Sequence, residues 1–154
     1  KSKFLAVNAQ TNAGNQGYHT VSTYPRADLM AITEREIRLE ARRRRGDLEE
    51  IILEVAGRLD CPRLCITRGS QGCLTFERDK GFLPIPAIAQ KVVDRVGAGD
   101  AFLSVAALCA AQGAPLEISG LCGNAAGAQA VATVCNQEAV NRLALLRHLQ
   151  ALLK

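Results

Sequence analysis

The chain opens with a short apolar run, Phe4–Val7, that stops at Asn8, as a buried strand does. The amide- and glycine-rich stretch Asn8–Gly17 reads as a solvated surface loop, although its amides would also suit a polar ligand. Asp28–Ile32 is the next strand. Thr33 followed three residues later by Glu36 is the signature of a capping box, and it predicts a helix from Glu34 into the arginine run, ended by Gly46. Asp47 caps a second helix to about Leu59, whose apolar positions 48, 51, 52, 55, 56 and 59 recur at helical spacing. Pro62 separates it from a strand at Arg63–Thr67. A tight turn at Gly69–Gly72, a returning strand at Cys73–Phe76 and a short strand at Phe82–Pro86 follow. Pro84 and Pro86 assign that last strand to a sheet edge.

The remainder reads as helical. Ala98–Gln112 is almost wholly small and apolar, which predicts a buried helix. Pro115–Val131 is a second helix with proline in its first turn. Glu138–Leu152 is a third, with Val140, Leu143, Leu146, Leu149 and Leu152 on one face. Strands alternating with helices in the first half predict a parallel sheet with helices on both faces, followed by a hairpin and an all-helical end.

The totals narrow the class. A length of 154 residues suits one domain with a sizeable core. Aromatics make up only 4% and Trp is absent, so Leu, Ile, Val and Ala must fill that core. The net charge of +4 suits an anionic ligand and is too mild to indicate nucleic acid. Much of the excess lies in Arg42–Arg45. Acids flank the run and no aromatics interleave it for base stacking, so it reads as the solvated face and end of a helix. None of the six cysteines, at 61, 65, 73, 109, 122 and 135, forms a C-x-x-C pair, and no second ligand pair follows at zinc spacing. They read as reduced small hydrophobes, and a cytoplasmic location is the default. No apolar run is long enough to span a bilayer.

The chemistry concentrates in Asp94–Phe102, DRVGAGDAF. Gly97, Ala98 and Gly99 leave the N–H groups of a helix start uncovered, where an anion can approach them. An acid there would repel a merely bound phosphate. Asp100 makes sense beside a protic group, accepting a hydroxyl proton while the N–H groups take up phosphoryl charge. A helix start with an acid in its first turn needs no function, and on spacing alone the two readings stand level. The stretch is neither a Walker A loop nor a dinucleotide fingerprint, since no Gly-Lys-Ser/Thr follows and Phe102 replaces the third glycine.

Val93–Phe102 resembles the C-terminal signature of the ribokinase-like (PfkB) carbohydrate kinases, Asp-Thr-x-Gly-Ala-Gly-Asp-x-Phe, with Arg95 in place of the usual Thr. Cys65–Gly72 resembles that family's strand–turn–strand along the nucleotide, and Asn124 with Ala125, Ala126 and Ala128 resembles the helix that passes the adenine. Glu36 matches the acid of the family's Asn-x-x-Glu, but Thr33 replaces the Asn. The resemblance implies the C-terminal part of a three-layer α/β/α fold, a single nucleotide-binding domain over residues 1–154, without the N-terminal half that supplies most sugar contacts and the lid. It implies an ATP-dependent kinase acting on a sugar or sugar phosphate. Asp100 would be the base and Gly97, Ala98 and Gly99 the anion hole. Thr67, Gly69, Gly72 and Asn124 would line ATP, and Mg2+ would bridge the phosphates with Glu36 nearby. The Asn-x-Gln-x-Asn loop, the segment TEREIRLE and the arginine-rich helix resemble the heptose-phosphate kinase branch. No nucleic acid or membrane partner is expected; the missing half or a second copy is. The alternative is a non-catalytic nucleotide-binding or interaction module built on this fold, because apolar surface left uncovered would seek a partner.

Overall fold

The computed structural model describes residues 2–11, 14–89, 91–134 and 137–152. Asn12 of the amide-rich loop and Cys135 lie outside the described residues. Strands β1 (Ala6–Val7), β2 (Leu29–Thr33), β3 (Arg63–Thr67), β4 (Cys73–Glu77) and β5 (Gly81–Ile85) form one sheet in sequential order. β1, β2 and β3 are parallel, with Met30 opposite Leu64 and Thr33 opposite Thr67. β4 and β5 return antiparallel through tight turns. The edge position expected for the proline-bearing strand is the one observed, because Pro84 cannot donate to a further ladder.

The parity of each strand sorts the core into two layers. Met30, Ile32, Leu64, Ile66, Leu74 and Phe76 face α1 (Glu34–Glu40) and α2 (Leu48–Arg58), where Ile37, Ile51, Ile52 and Val55 are fully buried. Leu29, Ala31, Cys65, Cys73 and Ile85 face the opposite way, onto α3 (Ala98–Ala111) and α4 (Leu116–Ala130). Helices therefore cover both faces, as the alternating pattern predicts. Ala125 and Ala126 of α4 are wholly buried, so its small residues serve close packing. The two helices α1 and α2 are tied at their C-terminal ends by a pair of charges. Arg58 donates to Oε1 of the buried Glu40 at 2.8 Å and to its carbonyl at 3.1 Å.

Three sequence expectations need correction. The first helix stops at Glu40 and does not run into the arginines. Arg42 takes a left-handed φ of 54°. Its N–H donates to Leu39 and that of Arg43 to Arg38, the bond pattern of a Schellman stop. Arginine thus occupies a position that glycine fills at lower cost. The last helix, α5 (Arg142–Leu152), starts later than Glu138 because the Asn141 side chain caps it, accepting from Ala144 N–H at 3.0 Å. The structure adds that its apolar face stays open: Leu143 and Leu146 are exposed, and no described residue of α5 is buried. The third correction concerns α3, which buries one face through Phe102, Ala106 and Ala110 but leaves Leu108 68% exposed. Smaller shifts occur at β1, which forms only at Ala6–Val7, and at β2, displaced by one residue.

The remaining terminators follow the sequence. Thr33 and Glu36 complete the capping box, and Asp47 accepts from Glu50 N–H at 3.1 Å. All described cysteines are free thiols. Burial pushes Cys61 up to about 11. Burial and then the neighbouring Cys109 push Cys122 up to about 11 as well.

Relieving the left-handed arginine is expected to stabilise the protein. A non-glycine residue in this region costs about 1–2 kcal/mol, and glycine gives back about 0.5–1 kcal/mol through the unfolded chain. Arg42→Gly should therefore raise the unfolding free energy by about 0.5–1 kcal/mol. Urea denaturation measures the change, and a destabilised variant would contradict it.

Candidate functional site

A cleft of about 300 Å³ opens at the C-terminal ends of the parallel strands, where a sheet of this kind places its ligands. The end of β2 contributes Ala31, Ile32 and Thr33, the end of β3 contributes Thr67, and Glu36 enters from α1. Gly97, Gly99, Asp100 and Phe102 form the facing wall. Arg95 and the loop residues Asn8–Thr11 complete it.

The facing wall is held by its loop. Val93 and Asp94 donate their N–H groups to the Val131 carbonyl at the end of α4, at 2.7 and 3.2 Å. Asp94 in turn accepts from Val96 N–H at 3.0 Å. Gly97 then adopts φ 79°, a left-handed conformation that turns the chain into α3. No side chain caps this helix start. Ala101 donates to the Gly97 carbonyl at 2.9 Å, whereas the N–H groups of Gly99 and Asp100 meet no acceptor among the described residues. A Cβ at Gly99 would meet nothing within 4 Å, so packing does not require glycine there. Its effect is to keep the helix start open to an approaching anion. Asp100 is exposed, and no described residue hydrogen-bonds its carboxylate.

Across the cleft, Glu36 Oε2 accepts from the Thr33 N–H at 2.7 Å and from the Thr33 hydroxyl at 2.8 Å. Its other oxygen meets no partner among the described residues. Glu36 and Asp100 are the carboxylates lining the cleft. Two carboxylates are too few to cage a divalent ion by themselves, and no group of three or more candidate ligands occurs among the described residues. Glu36 alone does fit Mg2+ carried in on phosphates, which ordinarily takes one or two protein carboxylates.

The other sequence-derived candidates lie beside this cleft and do not line it. Ala98 is the first residue of α3, behind Gly97. Gly69 begins the short 3-10 turn after β3. Gly72 closes that turn at φ 82°, where a Cβ would collide with the Ile85 carbonyl and come within 2.6 Å of the Ala87 nitrogen. Glycine at 72 is therefore required by the backbone alone. Asn124 donates to the Pro86 carbonyl at 3.1 Å, tethering α4 to the end of β5. Asn8–Thr11 also line the cleft, which agrees with the polar-ligand alternative for a loop whose favoured reading was a solvated surface, and Arg95, noted in the sequence only as a departure from the family signature, contributes a cation beside Gly97. Adjacency to the GAGD segment was the available signal for Arg95.

One ion network lies next to the cleft without lining it. Glu34 accepts from Arg38 at 2.9 Å and from Arg68 at 3.1 Å, joining α1 to the turn that follows Thr67. Burial pushes the Glu34 carboxyl up, but the two guanidiniums outweigh it and hold the group below its ordinary 4.5.

The family profile for pfkB family carbohydrate kinases matches residues 7–141. The chain therefore belongs to the pfkB family of carbohydrate kinases. The bifunctional protein HldE of Azorhizobium caulinodans is 40% identical over 79 residues, which span 51% of this chain and 16% of that protein. This relative agrees with the resemblance to the heptose-phosphate branch. Phosphofructokinase-2 from Escherichia coli, solved with substrates and products, superposes with a TM-score of 0.78 at 18% identity, over 97% of this chain and 47% of that one. Ribokinase from Arabidopsis thaliana, complexed with ribose and ATP, does so with a TM-score of 0.68 at 24% identity, over 80% and 41%. The fold is ribokinase-like, and the chain spans less than half the length of each of these proteins. Among the described residues, no helix is long and apolar enough to cross a membrane.

The lowered Glu34 value carries a pH dependence. Its stabilising contribution is complete above 4.5 and disappears as the pH falls through the depressed folded value. Wild type should therefore be more stable than Glu34→Gln at pH 7, and the difference should close below pH 4.5. Denaturation midpoints across that range measure the gap. A gap that persists unchanged into acid would assign the effect to packing.

Proposed function

We propose that residues 1–154 form the nucleotide-binding domain of an ATP-dependent kinase that phosphorylates a hydroxyl of a sugar or sugar phosphate. The observation that carries this reading is the unpartnered Asp100 carboxylate beside the uncapped N–H groups of Gly99 and Asp100. A hydroxyl directed at Asp100 gives its proton to the carboxylate as its oxygen bonds to the γ-phosphorus. The bond from that phosphorus to the β-phosphate oxygen breaks, and ADP leaves. Gly97, Ala98 and Gly99 supply the backbone that receives charge on the phosphoryl oxygens. A positioned base contributes about 10²–10⁴-fold.

Thr67, Gly69, Gly72 and Asn124 are assigned to the nucleotide, the first at the cleft and the others along the turn and helix beside it. Glu36, through its free oxygen, is the residue assigned to Mg2+, which neutralises phosphate charge when bound. Arg95 and the amides of Asn8 and Gln10 face the same cleft and suit an acceptor that carries its own phosphate. Together with the HldE relative, this favours a heptose phosphate.

A second reading is supported by α5, whose exposed Leu143, Leu146 and Leu152 present apolar surface. In that reading the chain is a non-catalytic module that contacts a second copy or another polypeptide through this fold. The cytoplasm suits either reading, since the described cysteines are free.

Calorimetry of Mg·ATP with the 154-residue chain separates the readings. Binding that is lost in Gly99→Asp supports the nucleotide site. A folded wild type that binds no nucleotide would overturn that assignment and favour the interaction module. In the protein carrying this segment, Asp100→Asn should lower turnover by at least about 100-fold while ATP binding persists. Retained turnover would remove Asp100 from the role of base.

A further inference from the structure

A second cavity lies behind α1, separate from the cleft that holds Asp100. Its volume is about 860 Å³, and its walls include Arg35, Arg38, Arg42, Arg43 and Arg44. Gln16, from the loop after β1, closes one side. Glu34 is the acid among its lining residues, and its carboxylate is already bridged by Arg38 and Arg68. Arg43 is anchored from outside by Glu50 and Glu54 at 3.4 and 3.3 Å. Arg35, Arg42 and Arg44 make no ion pair with any described residue, so three uncompensated guanidiniums share one concavity.

We propose that this cavity is a binding site for a small polyanion carrying two or more linked phosphates. Two features distinguish it from a merely solvated run of charge. First, Arg42 occupies the left-handed stop of α1, where glycine costs less, and that strained residue lines the cavity. Second, Arg38 and Arg43 are held in place by acids, so part of the wall is organised before any ligand arrives. Guanidinium forks suit phosphate oxygens, and a single phosphate would leave part of the charge unmatched. Among the described residues no aromatic side chain lines the cavity for stacking bases, and its concavity suits a compact ligand better than a nucleic-acid strand.

The test uses inorganic tripolyphosphate and calorimetry on the whole chain. Gly99→Asp serves as the background, because it closes the glycine cleft to phosphate and its added Cβ meets nothing within 4 Å. One tripolyphosphate should bind per chain, and more tightly than orthophosphate. Arg42→Gly and Arg44→Gln should each weaken it by about tenfold. Arg42→Gly should do so while raising the melting temperature, which separates lost recognition from lost folding. Arg147→Gln, which removes a charge on α5, should leave binding unchanged. The proposal is overturned if this background binds no tripolyphosphate, or if Arg147→Gln weakens binding as much as Arg42→Gly does. Tighter binding of a single-stranded oligonucleotide, with contacts extending beyond the cavity, would also overturn it.

Discussion

The burial of one ring, Phe102, fixes the geometry on which the rest of the cleft depends. It lies two residues beyond Asp100, is 2% exposed, and packs into the layer between the sheet and the α3–α4 pair. Gly123 of α4 lies so close that a Cβ there would come within 3.0 Å of the ring. Burying such a side chain contributes about 1.5–3 kcal/mol, and a missing N-cap costs about 0.5–2 kcal/mol. The ring thus offsets an uncapped helix start. The first turn of α3 can be held at the strand ends while its N–H groups stay open, a compromise that no local capping interaction would permit.

Much of this arrangement was legible because strands and helix starts announce themselves. Thr33 and Glu36 wrote the capping box, Asp47 the next cap, and Pro84 the sheet edge. The alternation of strands and helices then implied helices on both faces of the sheet. The family resemblance drew Thr67, Glu36 and the GAGD segment together, and Thr67, Glu36, Gly97, Gly99 and Asp100 do line one cleft. The misread elements are ones where the deciding residue carries the wrong signal. Arg42 ends α1 in a conformation that belongs to glycine, so the pattern ran on to Gly46. Asn141 caps α5, but Glu138 also looked like a first turn. The small apolar residues of α3 cannot distinguish a helix buried all round from one buried on one face, and Leu108 shows which it is. The inward course of Asn8–Thr11 had only the amides as a signal, and amides suit solvent as readily as a ligand.

Helix α1 divides two environments within seven residues. Glu36 turns back to Thr33 and borders the cleft of Asp100. Glu34, two residues earlier, reaches Arg38 and Arg68 and borders the arginine-lined cavity. Arg68 directly follows Thr67, so the ion network of one cavity is covalently adjacent to the wall of the other. So short a helix is not stable alone. Its cap, the burial of Ile37 and these ion pairs hold both walls in register.

The charge pair at the ends of α1 and α2 has a consequence for how such a sequence can drift. Glu40 is buried and Arg58 is half exposed, so the two ends of the pair are unequal. Loss of Arg58 leaves a buried carboxylate whose remaining partner among the described residues is the Ser22 N–H at 3.4 Å, whereas loss of Glu40 leaves a guanidinium that water can solvate. Position 40 therefore leans on its partner eighteen residues away more heavily than position 58 does, and the junction of the two helices tolerates change from one side only.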